Sequence, residues 1–336
     1  MKTRKLSTVD GFVLLDLENA PGSVGVVRSA PKILVGGAEM LARSVTYSFA
    51  VFGIPAGGAS AGVNAAPGDR AAAVAAFAVE VGSFEPPVLF DAGRGVRQEE
   101  LAGLSATDPR SAALLAEREG IAVRDHLTAA GALASAEKVG GALRGQRVGI
   151  EGFGTVGVTL ARQVVAAGAT VVAVGTAAGT AFQPDGFSLD VLADAWATDE
   201  EAMVKKVGTS QQPAWAIWSS RADVLFCGSK AGAMTHEGAG SLQARTVVPI
   251  APVPITAKAL AVMTRAGVTY VPDFVSLAAP LLVGVGDGED EARAKLVEVL
   301  DHCSGHPEGL FVAACQRAET FLRTWQDTLP FGRPLA

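Results

Sequence analysis

The sequence predicts a two-domain α/β protein in which the second domain contains a doubly wound parallel sheet. Its 336 residues are enough for two hydrophobic cores. The composition, 49% hydrophobic and 18% charged with 39 glycines, suits parallel strands that are buried beneath closely packed helices. Beyond residue 145, short apolar runs alternate with helical stretches, which is the pattern of consecutive βαβ units.

The first part of the chain mixes strand and helix signals without that regular alternation. Strands are predicted where apolar residues form short runs, and helices where they recur every three or four residues. The predicted strands are 11–17, 24–28 and 88–90, and the predicted helices are 38–53, 70–81 and most of 108–140. Residues 54–62 are rich in glycine and are expected to form a turn.

The second part opens with a strand, a helix and a second strand, at 147–150, 156–167 and 170–174. This succession is a βαβ unit. Further short strands are predicted at 223–226, 246–248 and 269–271, and a helical tail at 291–327. The helical stretches between these strands make a doubly wound parallel sheet the natural arrangement.

The overall charge and the cysteines restrict the class of partner. The formal net charge is −6, and an acidic protein lacks the basic surface that nucleic-acid phosphates require. The three cysteines form no CxxC pair, so neither a disulfide framework nor a metal site is expected. No run of about 18 apolar residues predicts a membrane span, and the basic start of the chain lacks an apolar signal core. These observations favour a cytoplasmic protein with a small-molecule substrate.

Residues 152–157 form the motif that says most about function. They read Gly-Phe-Gly-Thr-Val-Gly, directly after a predicted strand and at the start of a predicted helix. In a βαβ unit such a turn binds a dinucleotide: the first glycine forms the turn, the second admits the pyrophosphate, and the third lets helix and strand pack closely. The candidate cofactor-binding residues here are Gly152, Phe153, Gly154, Thr155, Val156 and Gly157. A structural turn in a nucleotide-free domain is the alternative.

The strand after this turn gives little indication of which dinucleotide is bound. An acidic residue at its end would bind the ribose hydroxyls of NAD, and a basic residue would accommodate the 2′-phosphate of NADP. Residues 174–179 contain neither, and Thr176 is the candidate there. The missing carboxylate removes a repulsion against the 2′-phosphate, so we expect NAD or NADP with a slight lean to NADP. Loss of cofactor binding is a third option.

Motifs along nearly the whole chain resemble the Glu/Leu/Phe/Val family of amino-acid dehydrogenases. Residues 143–157 resemble the family segment LKGKxVxxxGFGNVG. Upstream, residues 21–28 resemble GPALGGTR, and residues 44–48 and 54–60 resemble the segments that contain MTYK and GGGK. The matching downstream segments are Pro184-Asp185-Gly186, residues 222–227 and Val271-Pro272-Asp273. The specific signal is their common order along the chain.

The resemblance implies an N-terminal α/β substrate domain with a mixed sheet, residues 1–123, completed by C-terminal helices over about 280–336. It implies a Rossmann-type dinucleotide-binding domain between them, at 124–279. Members of the family are homo-oligomers that reversibly deaminate an L-amino acid, with hydride passing to the nicotinamide. We therefore expect a homo-oligomer, a dimer or larger.

The two active-site lysines of the family are missing from this chain. One ammonium pairs with the substrate carboxylate, and the other activates water and stabilises charge at the reacting carbon. The family places them twelve residues apart, at the ends of MTYK and GGGK, where this chain has Ser48 and Ser60, also twelve apart. A hydroxyl cannot replace a cation that faces a carboxylate. The resemblance therefore implies an altered substrate site in which these serines are hydrogen-bonding groups.

The resemblance also marks further candidate residues. Asp91 falls near the catalytic aspartate of the family, although a turn residue at a strand end is an equal alternative. The substrate-binding candidates are Arg28, Gly57 and Gly58, and the loop that borders the nicotinamide supplies Ser229 and Lys230. An ordinary surface role is an equal alternative for Arg28 and Lys230.

The sequence supports three functional hypotheses. The first is an NAD(P)-dependent oxidoreductase that acts on a non-standard amine, imine or ketone lacking a free carboxylate, with Asp91 as the acid or base. The second is a catalytically inactive dinucleotide-binding homologue, a sensor or partner subunit, which the loss of two cationic groups favours. The third is an ordinary leucine- or glutamate-type dehydrogenase that recruits Lys32 or Lys230.

Overall fold

The computed structural model describes all residues from 1 to 336. The chain divides into two compact units. Unit 1 comprises Met1–Ala112 and Cys315–Pro334, and unit 2 comprises Ala113–Ala314 with Leu335–Ala336. None of the helices has both the length and the apolar character needed to cross a lipid bilayer.

The chain forms fourteen strands and thirteen α-helices. The strands are β1 Lys2–Lys5, β2 Gly11–Leu15, β3 Ser23–Ala30, β4 Gly57–Asn64, β5 Val88–Ala92, β6 Glu117–Arg118, β7 Ile121–Ala122, β8 Arg147–Glu151, β9 Thr170–Thr176, β10 Gly179–Phe182, β11 Ser210–Gln212, β12 Val224–Cys227, β13 Thr246–Pro249 and β14 Thr269–Tyr270. The helices are α1 Gly36–Val51, α2 Arg70–Val81, α3 Ala102–Ser105, α4 Ser111–Leu114, α5 Val123–Gly140, α6 Thr155–Ala166, α7 Leu189–Asp199, α8 His236–Gly240, α9 Ala257–Arg265, α10 Asp273–Ser276, α11 Ala279–Gly284, α12 Glu289–Cys303 and α13 Leu310–Leu322.

Unit 1 contains a five-stranded sheet with the order β1-β2-β4-β3-β5. β4 pairs antiparallel with β2 and parallel with β3, and β3 pairs parallel with β5. The mixed sheet that the family resemblance implied is therefore present. Successive side chains of a strand point to opposite faces, so one sheet face packs on α2 and the other on α1. The α2 face holds the main core of the unit, which includes Val13, Val27, Ala61, Val63 and Phe77.

The expectation of a glycine-rich turn over residues 54–62 was wrong for most of that segment. Residues 57–64 form β4, which lies between two other strands. Glycine is usually unfavourable inside a strand because it contributes no side chain to packing. Here the small side chains are needed, since Gly58 and Gly62 lie beneath α1 and the ring of Phe12. Close packing outweighed the local turn preference.

A buried ion pair fixes α1 to the sheet of unit 1. The Nε of Arg43 donates to both carboxylate oxygens of Asp16 at 2.8 Å, and neither side chain is more than 2% exposed. The same guanidinium donates to the carbonyl oxygen of Gly332, at 2.8 Å. The Tyr47 hydroxyl donates to Glu319 of α13 at 3.0 Å. Burial, and then the charge of Glu319, raises the pKa of this tyrosine well above its usual value.

Unit 2 contains a seven-stranded sheet with the order β11-β10-β9-β8-β12-β13-β14. The five neighbouring strands β9, β8, β12, β13 and β14 are parallel to one another, whereas β10 and β11 run antiparallel at one edge. The central strand β8 has β9 on one side and β12 on the other. The order in which the chain adds strands to the sheet reverses at β8, and this is the topological switch point at which open α/β sheets bind ligands. The predicted doubly wound sheet is confirmed.

Two predicted helical stretches are interrupted. Within 108–140, residues 117–122 form the hairpin of β6 and β7, where Glu119 and Gly120 both have positive φ. Within 291–327, the helix stops after Cys303 and restarts at Leu310. Gly305 and Gly309 have positive φ in that gap, which side chains with a Cβ adopt at a steric cost.

The region after residue 279 differs from the domain division expected from the sequence. Helix α12 belongs to unit 2, where it packs on α5, and only the part of α13 from Cys315 onward belongs to unit 1. A Cβ on Gly131 of α5 would lie 3.3 Å from a methyl carbon of Leu296 in α12. The ion pair Lys138–Asp301 joins the same two helices. The apolar contact and the ion pair hold α12 in unit 2.

Candidate functional site

The glycine turn lies at the carboxyl end of β8. Gly152 has a φ of +82°, and a Cβ there would lie 2.4 Å from the backbone nitrogen of Ser229. The first glycine of the motif therefore serves both the turn and a close approach of the chain after β12. A Cβ on Gly154 would meet no backbone atom closer than 3.9 Å, and its nearest neighbours are ring atoms of Trp196 at 3.8 Å. The space above the second glycine is open, as a pyrophosphate cradle requires.

Helix α6 starts directly at this turn. Its N-cap residue Gly154 supplies no side-chain hydrogen bond, so the N–H groups of the first turn are available to an anion. Thr155 is exposed and Val156 is half-buried at that end of the helix. A Cβ on Gly157 would lie 3.2 Å from the ring of Phe153. That ring is buried, so Phe153 supports the turn from below while its backbone belongs to the turn.

Glu151 is a residue of this site that the sequence reasoning missed. Its carboxylate is 7% exposed and accepts hydrogen bonds from the backbone N–H groups of Gly228 and Ser229, at 2.9 and 3.1 Å. Glu151 thereby connects the loops that follow β8 and β12 at the switch point. An acidic residue at the end of an otherwise apolar strand, immediately before the glycine motif, was the available signal.

The loop after β12 begins at a buried thiol. Burial, together with the nearby Glu151 and Asp273 carboxylates, raises the pKa of the Cys227 thiol well above its usual value. Cys227 is therefore protonated and inert at neutral pH. Ser229 is half-buried beside the glycine turn, and Lys230 is exposed. The structure places both predicted loop residues at the carboxyl end of the sheet.

Thr176 is the last residue of β9. Its hydroxyl donates to the carbonyl oxygen of Glu201 at 2.6 Å and accepts from the N–H of Ala178 at 3.1 Å. The side chain is 6% exposed, so its hydrogen bonds are made within the protein. The first of these bonds brings a 3-10 helix at 200–205 beside the strand end. That helix carries the exposed carboxylates of Glu200 and Glu201.

The two serines at the positions that the resemblance assigns to the family lysines are both buried in unit 1. Ser48 lies in α1, is 5% exposed and donates to the carbonyl oxygen of Ser44 at 3.1 Å. Ser60 lies in β4, is 0% exposed, and its hydroxyl has no hydrogen-bond partner. The Ser48 hydroxyl is therefore hydrogen-bonded within its own helix, whereas the Ser60 hydroxyl makes no hydrogen bond.

Asp91 is the penultimate residue of β5 and lies in a charged cluster. Arg110 donates to both oxygens of Asp91, at 3.3 and 3.4 Å, and to Asp108 at 2.6 Å. The Arg110 side chain is 4% exposed and that of Asp91 is 20% exposed. Burial lowers the pKa of Arg110, but the hydrogen bonds and charges of Asp108 and Asp91 outweigh it and raise the pKa overall. A permanent cation thus holds the predicted acid or base.

Strand register places several candidates on the same face of this sheet. Val26 pairs with Ser60 on one side and with Asp91 on the other. Arg28 lies two residues beyond Val26 on the same strand, so its side chain shares that face. Ser60, Asp91 and Arg28 therefore belong to one surface, the one that α1 also covers.

The paired glycines at the start of β4 have packing roles. A Cβ on Gly58 would lie 1.8 Å from the carbonyl oxygen of Ala42 in α1. A Cβ on Gly57 would meet the side chains of Ala20 and Ser23, at 2.9 and 3.0 Å. No substrate contact is needed to explain either residue, and their predicted role in substrate binding stays a prediction.

Unit 2 therefore has a Rossmann-type fold, and unit 1 is an α/β domain with a mixed sheet. Residues 120–279 match the family model for Glutamate/Leucine/Phenylalanine/Valine dehydrogenase. This is the family that the motifs of the chain resemble.

Relatives with similar sequences are glutamate dehydrogenases. The catabolic NAD-specific glutamate dehydrogenase RocG of Bacillus subtilis (strain 168) is 31% identical over 147 residues, which cover 44% of this chain and 34% of that protein. The NAD-specific glutamate dehydrogenase of Staphylococcus aureus (strain COL) is 27% identical over 192 residues, covering 53% of this chain and 46% of that protein. The matches thus span less than half the length of these relatives.

Solved structures of the same fold cover nearly the whole chain. The hetero-hexameric glutamate dehydrogenase from Thermus thermophilus in its Leu-bound form has a TM-score of 0.75 at 24% identity, covering 95% of this chain and 86% of that one. The L-tryptophan dehydrogenase from Nostoc punctiforme has a TM-score of 0.61 at 18% identity, covering 94% and 92%. At these identities the likeness shows the fold.

Proposed function

We propose that the protein is an NAD(P)-dependent oxidoreductase whose substrate is a non-standard amine, imine or ketone. One observation carries this proposal. The glycine turn, the open space over Gly154 and the uncapped start of α6 form a complete dinucleotide cradle, whereas both lysine positions hold serine. The cofactor side is retained and the substrate side is changed.

The residues of the chain have separable tasks in this proposal. The nicotinamide, when bound, supplies the hydride acceptor or donor. The first turn of α6 binds the pyrophosphate through backbone N–H groups. Glu151 fixes the loop that carries Ser229 and Lys230 against the glycine turn. Asp91 accepts or returns the substrate proton, and Arg110 keeps its carboxylate oriented.

The sequence left the choice between NAD and NADP open. The relatives above are named NAD-specific, which gives no support to the lean towards NADP. Residues 174–179 offer no cation for a 2′-phosphate, and the neighbouring 3-10 helix begins with the carboxylates of Glu200 and Glu201 and has a single lysine, Lys205, at its end. We therefore take NAD as the first cofactor to test and NADP as the second.

We also propose that the protein is a homo-oligomer. The Thermus thermophilus structure of the same fold is described as hetero-hexameric. Unit 1 exposes large apolar side chains, among them Leu34, Val35, Val79 and Phe331, and apolar residues of this size are typical of protein interfaces. Light scattering of the purified protein would give the mass of the particle, and a monomer would contradict this part of the proposal.

Calorimetric titration with NAD, NADH, NADP and NADPH tests the cofactor site. Binding of one form with a dissociation constant in the micromolar range is the expected result. A screen of amines and ketones with that cofactor would then identify the substrate. If none of the four binds, the glycine turn is only structural and the oxidoreductase proposal is wrong.

A second candidate function is a dinucleotide-binding sensor or partner subunit without catalysis. Two observations favour it: Ser48 is hydrogen-bonded within its own helix, and Asp91 is held by Arg110. Asp91→Asn separates the candidates, because an enzyme loses turnover whereas a sensor keeps its cofactor affinity. Asp108→Asn is the matched control, since it disturbs Arg110 but leaves the Asp91 carboxylate in place.

A third candidate, an ordinary glutamate- or leucine-type dehydrogenase, needs an ammonium from elsewhere. The relatives named glutamate dehydrogenase favour it. Against it, the lysines of unit 1 are Lys2, Lys5 and Lys32, and all three are exposed. Lys230 in unit 2 is exposed as well. Rapid turnover of glutamate or leucine with NAD would establish this candidate and exclude the altered substrate.

A further inference from the structure

Unit 1 contains polar groups that are buried without a partner on the sheet face that α1 covers. The Nε and Nη2 atoms of Arg28 are inaccessible to solvent and make no hydrogen bond. The Ser60 hydroxyl is also buried and makes none. Buried donors without partners are rare in native proteins because each costs about 1–3 kcal/mol. Two on the same face require an explanation.

The register places these donors close together on that face. Ser60 pairs with Val26, and Arg28 follows Val26 by two residues. Side chains on neighbouring strands at such a diagonal have Cα atoms about 7–8 Å apart, and an arginine side chain is long enough to bridge that gap. The guanidinium of Arg28 and the hydroxyl of Ser60 can therefore serve one ligand.

The surroundings of Arg28 leave its charge uncompensated. Arg28 pairs with Gly62 of β4, and the Phe12 ring and a methyl of Ile33 occupy the space over that glycine. Its Cγ lies 3.2 Å from the position of a Cβ on Gly93. Burial among these groups lowers the pKa of the Arg28 guanidinium. The nearby Asp91 carboxylate is held by Arg110.

We propose that Arg28 and Ser60 form an anion-binding site that recognises the carboxylate of a small-molecule substrate. The planar guanidinium offers its Nε and Nη2 donors as a fork that matches the two oxygens of a carboxylate. The Ser60 hydroxyl donates the third hydrogen bond. The cation of the substrate site is then an arginine on β3 in place of the lysines on α1 and β4.

This inference rests on the proposed function and makes its substrate class more specific. The sequence led us to expect a substrate without a carboxylate, because both ammonium groups are missing. Arg28 provides a cation at a different position in the same sheet. The substrate carboxylate would consequently bind between the side chains of Arg28 and Ser60, on the sheet face that also carries Asp91.

The test compares two probes that differ at a single group, the carboxylate. The full-length protein is titrated by calorimetry with 2-oxovalerate and with 2-pentanone, in which a methyl group replaces the carboxylate. Both titrations are made with and without bound NADH, and no turnover is measured. We expect 2-oxovalerate to bind at least about tenfold more tightly than 2-pentanone, since charged hydrogen bonds are worth roughly 1.5–3 kcal/mol.

Variants assign that preference to particular residues. Arg28→Gln should abolish the preference for 2-oxovalerate, and Ser60→Ala should weaken 2-oxovalerate binding about threefold. Arg323→Gln, which removes an exposed arginine of the same unit, is the control and should change nothing. If Arg28→Gln does not fold, Arg28→Lys keeps the charge without the fork and should still reduce the preference.

Several outcomes would overturn the inference. Equal binding of the two probes excludes a carboxylate site, and unchanged binding by Arg28→Gln excludes Arg28. Tight binding of inorganic phosphate with no binding of 2-oxovalerate would mean that the anion is a phosphate. Each readout is independent of redox chemistry. A protein that binds 2-oxovalerate through Arg28 but no dinucleotide would therefore contradict only the proposed function.

Discussion

The chain has two glycine-rich segments that look alike in sequence and differ in what fills the space beside them. At Gly58 in unit 1, the position of a Cβ lies 1.8 Å from a backbone oxygen of α1. At Gly154 in unit 2, the nearest atoms are 3.8 Å away and belong to a side chain. The first glycine lets a helix approach, and the second leaves room for a ligand.

The comparison shows how a glycine motif should be interpreted. The glycines of both segments leave free the volume that a side chain would fill. What this volume does depends on whether other atoms of the protein occupy it. In unit 1 the protein fills that volume itself. In unit 2 it leaves the volume open above uncapped N–H groups, so that only there does the motif predict a binding site.

The largest effect is expected for Gly58→Ala. The new Cβ would overlap the Ala42 carbonyl, and backbone cannot move aside as a flexible side chain can. We expect a loss of about 3 kcal/mol in the free energy of unfolding, at the upper end for overpacking. Urea denaturation measures it.

Gly103→Ala is the matched control for this substitution. It lies in α3 of the same unit, where a Cβ would meet no atom within 4 Å. Alanine is favoured over glycine in a helix, so this variant should be unchanged or stabilised by less than about 1 kcal/mol. Equal losses for the two variants would mean that α1 can move away from β4, and the distinction between the segments would fail.

The next effect is expected for Glu151→Ala, which tests how the open segment is held. Removing the carboxylate deprives the Ser229 N–H of its acceptor, whereas the Gly228 N–H loses one of two acceptors and keeps the backbone carbonyl oxygen of residue 151. We expect destabilisation by about 2 kcal/mol. Glu151→Gln keeps an acceptor oxygen and should cost clearly less. Differential scanning calorimetry would show the difference, and identical melting temperatures for both variants would contradict the connecting role of Glu151.

Gly154→Ala should separate binding from stability. Its Cβ meets no backbone atom closer than 3.9 Å, so the fold should tolerate it with a loss below about 1 kcal/mol. The methyl group would occupy the pyrophosphate cradle and weaken dinucleotide binding by about tenfold or more. Calorimetry with NADH measures this, with Gly240→Ala of the same unit as the control. Unaltered affinity would place the pyrophosphate elsewhere.

The smallest effect is expected for Glu80 of unit 1, whose contribution to the free energy of unfolding changes at acidic pH. Hydrogen bonds from the Thr8 hydroxyl and from the Ser7 and Thr8 backbone lower the pKa of Glu80 from 4.5 to about 2. A depressed folded-state pKa contributes stability above the unfolded value, and this contribution is lost as the pH falls from 4.5 towards about 2. Because the site is near the surface, we expect less than about 1 kcal/mol.

Glu80→Gln should remove that pH dependence. The variant is compared with Glu99→Gln, an exposed carboxylate of the same unit, by urea denaturation at several pH values. Wild-type protein and the control should lose more stability on acidification than Glu80→Gln does. Parallel pH profiles for all three would show that the hydrogen bonds of Glu80 do not form in solution.

Local patterns were sufficient for the βαβ unit around the glycine motif of unit 2 and insufficient for β4 of unit 1. The strand before Gly152 and the helix after it were correctly predicted because their apolar periodicities and the glycine motif agree. β4 was read as a turn because glycine and alanine carry little strand preference of their own. Its pairing with β2 and β3 depends on residues far away in the chain, and no local pattern contains that information.

The sequence by itself determined the fold class, an α/β chain with a glycine turn at residues 152–157, and it has serine at residues 48 and 60, the positions that the resemblance assigns to the family lysines. These features are residue identities, which the covalent chain sets before it folds. Only the tertiary structure decided which polar groups are used and which are free. Ser48 bonds within α1, Asp91 pairs with Arg110, and Arg28 lacks a partner. Hydrogen bonding and burial depend on distances between strands and helices that fold together from distant parts of the chain.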